Sequence, residues 1–516
     1  MPTTDGPIPL APPDGLPSAE LIGQLANRAY RALPEGEPGD TAKRAFNELA
    51  DRCPGPFLLR QLMQASASGN GQAAAPVSAA PTPALLEGLP HLESPAYSFL
   101  AGSPLGAAPA PPLLPGVRPD FPALHQRVNG SPLVWLDNAA TTHKPQAVID
   151  AVSHFYARDN SNVHRGAHAL AVRATEAYEG AREKVASFLG AASAEEIVWV
   201  RGATEGINLV AQAYGRRFVA PGDEVIVSTL EHHSNIVPWQ MLCEATGSTL
   251  KVIPITDDGE LLLDAYAALL GARTRIVAIT AVSNVLGTVV PLRPVVEMAH
   301  AAGARVVVDG AQEVQHLPVD VAALDADFYV FSGHKIFGPT GIGALYGKRE
   351  LLEQAPPWQG GGSMIDRVTF EKTTYATVPA KFEAGTGHLA GAIGLAAAID
   401  YVRGVGLEAI AAHEQRLVAH GTEALASVPG LRLLGGGLHR TSMLTFVIPG
   451  VPAERIGAFL DREGIAVRAG HHCAQPLLQR LGLTAAVRAS VALYNTLEEI
   501  DALASALHRG VRRSWE

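Results

Sequence analysis

Cysteine is scarce in this chain, with three residues among 516, at positions 53, 243 and 473. None has a second cysteine two to four residues away, so the paired clusters that bring four donors to a structural zinc ion are missing and no metal site is expected. So sparse a set fits a reducing compartment, where disulfides do not persist. Positive charge is short as well. The net charge is −10 and no basic block occurs, which argues against a nucleic-acid partner, since neutralising phosphates needs clustered Lys and Arg. The start, MPTTDGPIPL, has neither the basic residues nor the apolar stretch of a secretory signal, and the Ala/Gly-rich run 389–399 stops at Asp400, too soon to cross a bilayer. A cytoplasmic protein with no membrane partner is expected. What is present is ordinary for a globular chain: 47% apolar and 17% charged residues, over a length that suits two to four domain-sized units.

Large side chains and charge thin out over residues 63–117. Nine of the ten residues 101–110 are Ala, Gly, Ser or Pro, and between Arg60 and Arg118 the only formal charges are Glu87 and Glu93. Such a stretch offers too little apolar surface to offset the entropy of ordering it, which predicts a mobile, largely disordered linker. Two short amphipathic helices are predicted before it. Ser18 caps one that carries Leu21, Leu25 and Ala29 on a face, Thr41 caps another that carries Phe46, Leu49 and Ala50, and a Pro/Gly-rich segment at 34–39 separates them. Alone they bury little, so they either dock on a partner or form a marginal pair. PAYSFLAG at 95–102 is an apolar-aromatic island inside the linker, read either as a docking peptide or as a collapsed spot.

From about residue 118 the pattern changes to strands alternating with helices. EEIVWV (195–200), DEVIVS (223–228), RIVAIT (275–280), RVVVDG (305–310) and DFYVFSG (327–333) are short, rich in Val and Ile, and separated by helical lengths of chain. This predicts a largely parallel sheet covered on both faces, with ligands at the C-terminal ends of its strands. Those ends are polar. YVFSGHKIFGPTGIG (329–343) closes a strand with Ser332, His334 and Lys335 before a glycine-rich turn, a setting for a Schiff-base lysine beside a phosphate, or for a solvated loop lysine. VVVDGAQ (306–312) ends its strand at Asp309, a carboxylate able to keep a pyridine nitrogen protonated. VRGATEGINLV sets Gly202, Ala203 and Thr204 between a strand and a helix, where amides and a hydroxyl can receive phosphate or simply start the helix. RAGHHCAQP (468–476) places Cys473 behind two histidines. On type and spacing alone it is an incidental thiol, a reactive thiol or a metal ligand.

The ordered series LDNAATT (136–142), RGATEGIN (201–208), EHHSNIVPWQ (231–240), SNVLGT (283–288), VDGAQ (308–312), SGHKIFGPTG (332–341), FEAGT (382–386), AVRAGHHCAQP (466–476) and VRASVALYNT (487–496) resembles group II, SufS-like cysteine desulfurases, which are members of the class V aminotransferase family. The resemblance covers roughly residues 117–516. It implies an α/β protein with the fold type I architecture of pyridoxal 5'-phosphate (PLP) dependent transferases. A large PLP-binding domain with an N-terminal arm (117–385) would be built on a mostly parallel, seven-stranded sheet. A smaller C-terminal α/β domain (386–516) would carry the cysteine loop.

The resemblance also implies roles. Lys335 would hold PLP covalently and move the substrate Cα proton, Asp309 would pair with the pyridine nitrogen, Gln312 would bond the ring hydroxyl, and His232 would stack on the ring. Thr204 beside Ala203, with Ser332 and His334, would hold the phosphate, and Thr386 would reach in from the partner subunit of a homodimer. Asn284 and Arg488 would grip the substrate carboxylate, with Arg468 next to the catalytic loop. Cys473 would take the sulfur of L-cysteine as a persulfide, leaving L-alanine, and His471 and His472 would help populate its thiolate or only shape the loop. One departure is that FEAGT continues Gly387-His388 where the family usually has Pro-Asn, which frees the loop carrying Thr386.

Residues 1–116, rich in Ala, Pro and Gly, resemble the loading regions of desulfurases packaged in family 2 encapsulins. That implies targeting to a shell nanocompartment and sulfur storage; a plain tether is the alternative. A SufE- or SufU-like protein is a further possible partner, as sulfur acceptor. Other readings are a selenocysteine lyase, a housekeeping desulfurase for iron-sulfur cluster assembly with an unrelated tail, and a non-catalytic protein on a retired PLP fold.

Overall fold

The computed structural model describes residues 114 and 116–515 apart from 165, 167 and 438. The two helices expected near the start and the island at 95–102 lie outside the described residues.

The Val/Ile runs form one seven-stranded sheet: β1 (Ile197–Val200), β2 (Glu224–Ser228), β3 (Thr249–Ile253), β4 (Thr274–Thr280), β5 (Arg305–Asp309), β6 (Phe328–Ser332) and β7 (Gly343–Gly347), in the order β1-β7-β6-β5-β4-β2-β3. The pleat sends consecutive residues to opposite faces. Val277, Ile279, Val306 and Val308 enter one apolar core, while Ile276, Ala278 and Val307 enter another. Both faces are therefore buried, which is why these runs are continuously apolar rather than alternating. Only β7 runs antiparallel to its neighbours, β1 and β6. Gly343, at its start, has no room for a side chain: a Cβ there would sit 2.3 Å from the Phe331 carbonyl oxygen and 2.8 Å from the Gly202 Cα. Glycine here lets the backbone of the β1 end approach the sheet.

Helices cover this sheet. Among them are α1 (Ala169–Leu189), α2 (Ala203–Leu209), which begins just past the end of β1, and α3 (Leu389–Val405). The glutamate of FEAGT has a structural task. Glu383 accepts from Arg182 Nη1 at 2.6 Å and Nη2 at 3.1 Å, and from the Trp199 amide at 2.8 Å, so it joins α1 to β1. Arg182 is only 3% exposed, and removing one partner of such a buried pair costs about 3–5 kcal/mol.

The C-terminal lobe holds a four-stranded antiparallel sheet, β8 (Arg432–Leu433), β9 (Met443–Val447), β10 (Arg468–Gly470) and β11 (Ala486–Ser490), in the order β8-β9-β11-β10. It packs with α4 (Leu407–Ala426), α5 (Ala453–Arg462) and α6 (Leu497–Arg512) around its own core, which includes Leu417, Phe446, Leu460 and Leu503. Thr496 and Glu499 close a capping box at the start of α6, satisfying two amides that the first turn leaves open. The arm before the large sheet crosses to this lobe. Val134–Trp135 pairs in parallel with Ile465–Ala466, Leu136 enters the small core, and Asn138 Nδ2 donates to the Ser490 carbonyl at 2.6 Å and to Asn495 Oδ1 at 3.0 Å. The first and last motifs of the series are thus bonded to each other. Among the described residues no single helix is long and apolar enough to cross a membrane; α3 and α4 meet that test only together, bent by 75°.

Candidate active site

A cavity of about 180 Å³ opens where β5, β6 and the turn after β1 end, and the small lobe forms its opposite wall. It gathers Lys335, Asp309, Gln312, His232, Ala203, Thr204, Ser332, His334, Asn284, Arg468, Arg488 and Cys473, that is, every expected site residue except Thr386. Thr386 instead lines a separate cavity of about 420 Å³, with Tyr156, Asn160 and His388.

Local chemistry fixes the large-domain wall. Lys335 follows β6 in a short 3-10 turn, Gly333–Lys335, and the hydroxyls of Thr141 and Thr142 each donate to the His334 carbonyl at 3.1 Å. Burial pulls the Lys335 ammonium down to about 8 against the opposing pull of Asp309. Asp309 in turn is pushed up by burial and held back by Lys335, and its Oδ1 accepts the Ala311 amide at 3.0 Å. At α2 the Ala203 amide donates to Ser332 Oγ at 2.9 Å, and Gly202, at φ +156°, passes so close that a Cβ would meet the same Oγ at 2.9 Å. His232 Nδ1 accepts the Ser234 amide at 3.1 Å, which leaves its proton on Nε2. Burial and the Lys335 charge lower His232 to about 3 and His334 to about 4, so both are neutral imidazoles at pH 7.

The small-lobe wall carries cations and the thiol. Arg468 of β10 stands opposite Arg488 of β11 in the sheet register. Arg488 is 2% exposed; it donates through Nη2 to Asp137 Oδ1 at 3.1 Å and through Nη1 to the Asn284 carbonyl at 2.6 Å. Asn284 Nδ2 donates one proton to the His472 carbonyl at 2.8 Å and keeps a second. His472 and Cys473 both adopt left-handed backbone, φ +53° and +55°, a conformation that non-glycine residues seldom take and that clusters at functional sites.

Four buried polar atoms facing this arrangement have no partner: Gln312 Oε1, Asn284 Oδ1, Arg488 Nε and His472 Nδ1. Buried polar atoms are nearly always satisfied, so such a cluster marks a place built for a polar ligand. Ser234 and Thr280 also line the cavity with no motif role to announce them, and His472, expected only to support the Cys473 thiolate or shape its loop, lines it too. For His472 the signal is its fixed ring: Nε2 donates to the Ala486 carbonyl at 3.0 Å, and burial lowers it to about 3.

Residues 134–503 match the family model for aminotransferase class-V. The chain belongs to this family. It is 60% identical over 393 residues to a cysteine desulfurase of Synechococcus elongatus, covering 76% of this chain and 63% of that one. It is 57% identical over 394 residues to the cysteine desulfurase of Dickeya dadantii, covering 76% of this chain and 95% of that one. The chain thus spans less than two thirds of the Synechococcus elongatus relative and nearly all of the Dickeya dadantii one. Among solved structures, the cysteine desulfurase CsdA of Escherichia coli, as its S-sulfonic acid, superposes with a TM-score of 0.71 at 45% identity, over 77% of this chain and 98% of that one. The fold is the type I fold of PLP enzymes, and the family's cofactor is PLP.

The residues present fit that cofactor. Lys335 supplies an amine, Asp309 a carboxylate, the hydroxyls of Ser332 and Thr204 donors for a phosphate, and the unpaired Gln312 oxygen faces the same space. Attachment of PLP needs the neutral amine, and Lys335 deprotonates near 8 instead of the usual 10.5. Below that value the ammonium form dominates and uptake slows; above it the amine is free. The rate of covalent PLP uptake by the apoprotein is therefore expected to climb with pH, with its midpoint at about 8. A midpoint close to 10.5, measured by stopped-flow absorbance, would contradict this assignment.

Proposed function

We propose that this chain is a PLP-dependent cysteine desulfurase of the group II, SufS-like type, which converts L-cysteine to L-alanine and leaves a persulfide on Cys473. The observation that carries this is the meeting, in one cavity, of an amine from the turn after β6, an arginine pair from the small sheet and a thiol from the loop after β10. PLP, when bound, supplies an electron sink for negative charge at the substrate Cα. Arg488 binds the substrate carboxylate, with Asn284 and Arg468 beside it. Lys335 Nζ takes the Cα proton and returns it. Cys473 Sγ attacks the substrate sulfur: an S–S bond forms, the Cβ–S bond breaks, and its electron pair stays with the three-carbon fragment, which is protonated to alanine. Atoms balance as L-cysteine plus enzyme thiol giving L-alanine plus enzyme persulfide. The neutral His232 presents its ring to the cofactor, and Thr204, Ser332 and His334 hold the phosphate. Incubating the purified holoenzyme with L-cysteine tests the proposal: alanine and thiol-releasable sulfur should appear in equal amounts, and persistent absence of alanine would reject it.

The reading includes a homodimer in which Thr386 completes the partner's phosphate site. Its place in a separate, open cavity supports this, as does the hairpin Ile365–Val368 and Thr373–Tyr375, whose Val368, Phe370 and Tyr375 are all at least half exposed. The division at residues 116 and 385 rests on composition and on the resemblance; the separate apolar core of the small sheet supports a C-terminal lobe, although Leu389, Leu395 and Ile399 of α3 join the core of the large sheet. We assign residues 1–116 to loading into an encapsulin shell in the cytoplasm, on their composition, with stored sulfur, or a SufE- or SufU-like carrier feeding iron-sulfur cluster assembly, as the destination. A reporter fused to these residues should co-purify with the shell when both are expressed together. A reporter recovered entirely outside the shell would sink the idea.

A further inference from the structure

Two histidines stand beside Cys473 with no part in the reaction above, and they come from segments far apart in sequence. His233 opens the short turn after the EHHS glutamate, whereas His471 precedes the catalytic loop. One ring nitrogen of each and the Cys473 Sγ lie within 4.8 Å of one another. Main-chain bonds hold them there. The His233 amide donates to the Cys473 carbonyl at 2.8 Å, the Gln475 amide to His233 Nε2 at 3.1 Å, and the Cys473 amide to His471 Nδ1 at 3.1 Å. The two rings stack with centroids 5.7 Å apart and planes 28° off parallel.

We propose that His233, His471 and Cys473 form a binding site for a thiophilic divalent cation of the Zn²⁺ type, which takes the sulfur-transfer nucleophile out of use. A thiolate with two imidazoles is a donor set that such ions prefer over water, and three protein donors leave one position for a water molecule. Bonds of about 2.0–2.3 Å put the donor atoms of a tetrahedral site roughly 3.5 Å apart, so the cluster must close by about 1 Å. It has the freedom to do so: His471 is exposed, and His233 and Cys473 are half-buried. Ligation through the ring nitrogens that now accept amides gives up those bonds, a loss small beside the metal-ligand bonds that replace them. Arg468 and Arg488 across the cavity oppose a cation, which makes the covalency of the sulfur bond decisive. On binding, the Cys473 thiol gives its proton to solvent, a metal-sulfur bond forms, and no electron changes hands.

Only the inhibitory consequence rests on the proposed desulfurase reaction; the binding itself does not. The test is done on metal-free holoenzyme without substrate, because free cysteine would compete for the ion. One equivalent of zinc chloride is added, the protein is desalted, retained zinc is measured by atomic emission, and alkylation of Cys473 by iodoacetamide is followed by peptide mass spectrometry. The expected result is one zinc retained per chain, with Cys473 alkylation slowed at least about ten-fold and restored by a chelator. Cys473→Ser, His233→Ala and His471→Ala should each weaken retention by more than about 10–100-fold, the loss that follows removal of a residue that only hydrogen-bonds to a metal ligand, while the PLP absorbance stays as in the parent. Retention that survives Cys473→Ser or His233→Ala undiminished, or zinc lost entirely on desalting, overturns the site. A failed desulfurase reading would show separately, as no alanine formed by the metal-free parent enzyme.

Discussion

Cys473→Ala is expected to keep PLP bound and to lower alanine release from L-cysteine by about 10³-fold or more, the scale at which a covalent nucleophile's removal is felt. The structure separates the two effects. Lys335, Asp309, Gln312, Ser332 and Thr204 all come from the large sheet and its strand ends, whereas Cys473 sits on the small-lobe wall. The substitution removes sulfur chemistry without touching a residue that holds the cofactor. Alanine release and the PLP absorbance band are measured side by side. Alanine release within ten-fold of the parent would remove Cys473 from the mechanism. Selenide released by the variant from selenocysteine, with neither protein acting on cysteine, would replace the desulfurase with a selenocysteine lyase.

Lys335→Ala should be at least as severe. On the proposed mechanism the variant loses both the amine that fastens PLP and the group that moves the Cα proton, and the second loss alone is worth about 10²–10⁴-fold. Borohydride reduction followed by mass spectrometry should find PLP fixed to Lys335 in the parent and no fixed cofactor in the variant. Folding provides the control. In the native protein Lys335 titrates near 8, below the 10.5 of an ordinary lysine. Its charge therefore works against folding at all pH values below about 8, and the penalty fades as pH rises towards 10.5. Removing the side chain should leave the thermal midpoint of the apoprotein at pH 7 unchanged or higher. A midpoint several degrees lower would mean that the lysine packs structurally, and the activity loss would then need another explanation.

The alternation of Val-rich runs with helices foretold the sheet, and its strand ends foretold the wall that carries Lys335, Asp309 and Ser332. These were legible because strand period and turn chemistry are local. Nothing local in the sequence pairs Asn138 with Asn495 or gives Glu383 a task, because each bonds to residues far away in sequence. His472 looked like part of a histidine doublet until its ring was seen fixed on the Ala486 carbonyl with Nδ1 buried and unpaired.

By itself the sequence determined the chemical inventory of this protein: a lysine and a carboxylate at neighbouring strand ends, an arginine and a lone cysteine near the C-terminus, and too few cysteines for a structural zinc framework. Tertiary structure alone decided which of these groups share a cavity, because that depends on the small lobe closing over the large sheet through contacts hundreds of residues apart. The same closure sets His233 beside His471 and Cys473. Spacing along the chain ruled out four paired ligands, but spacing has no bearing on donors that folding brings together from separate segments.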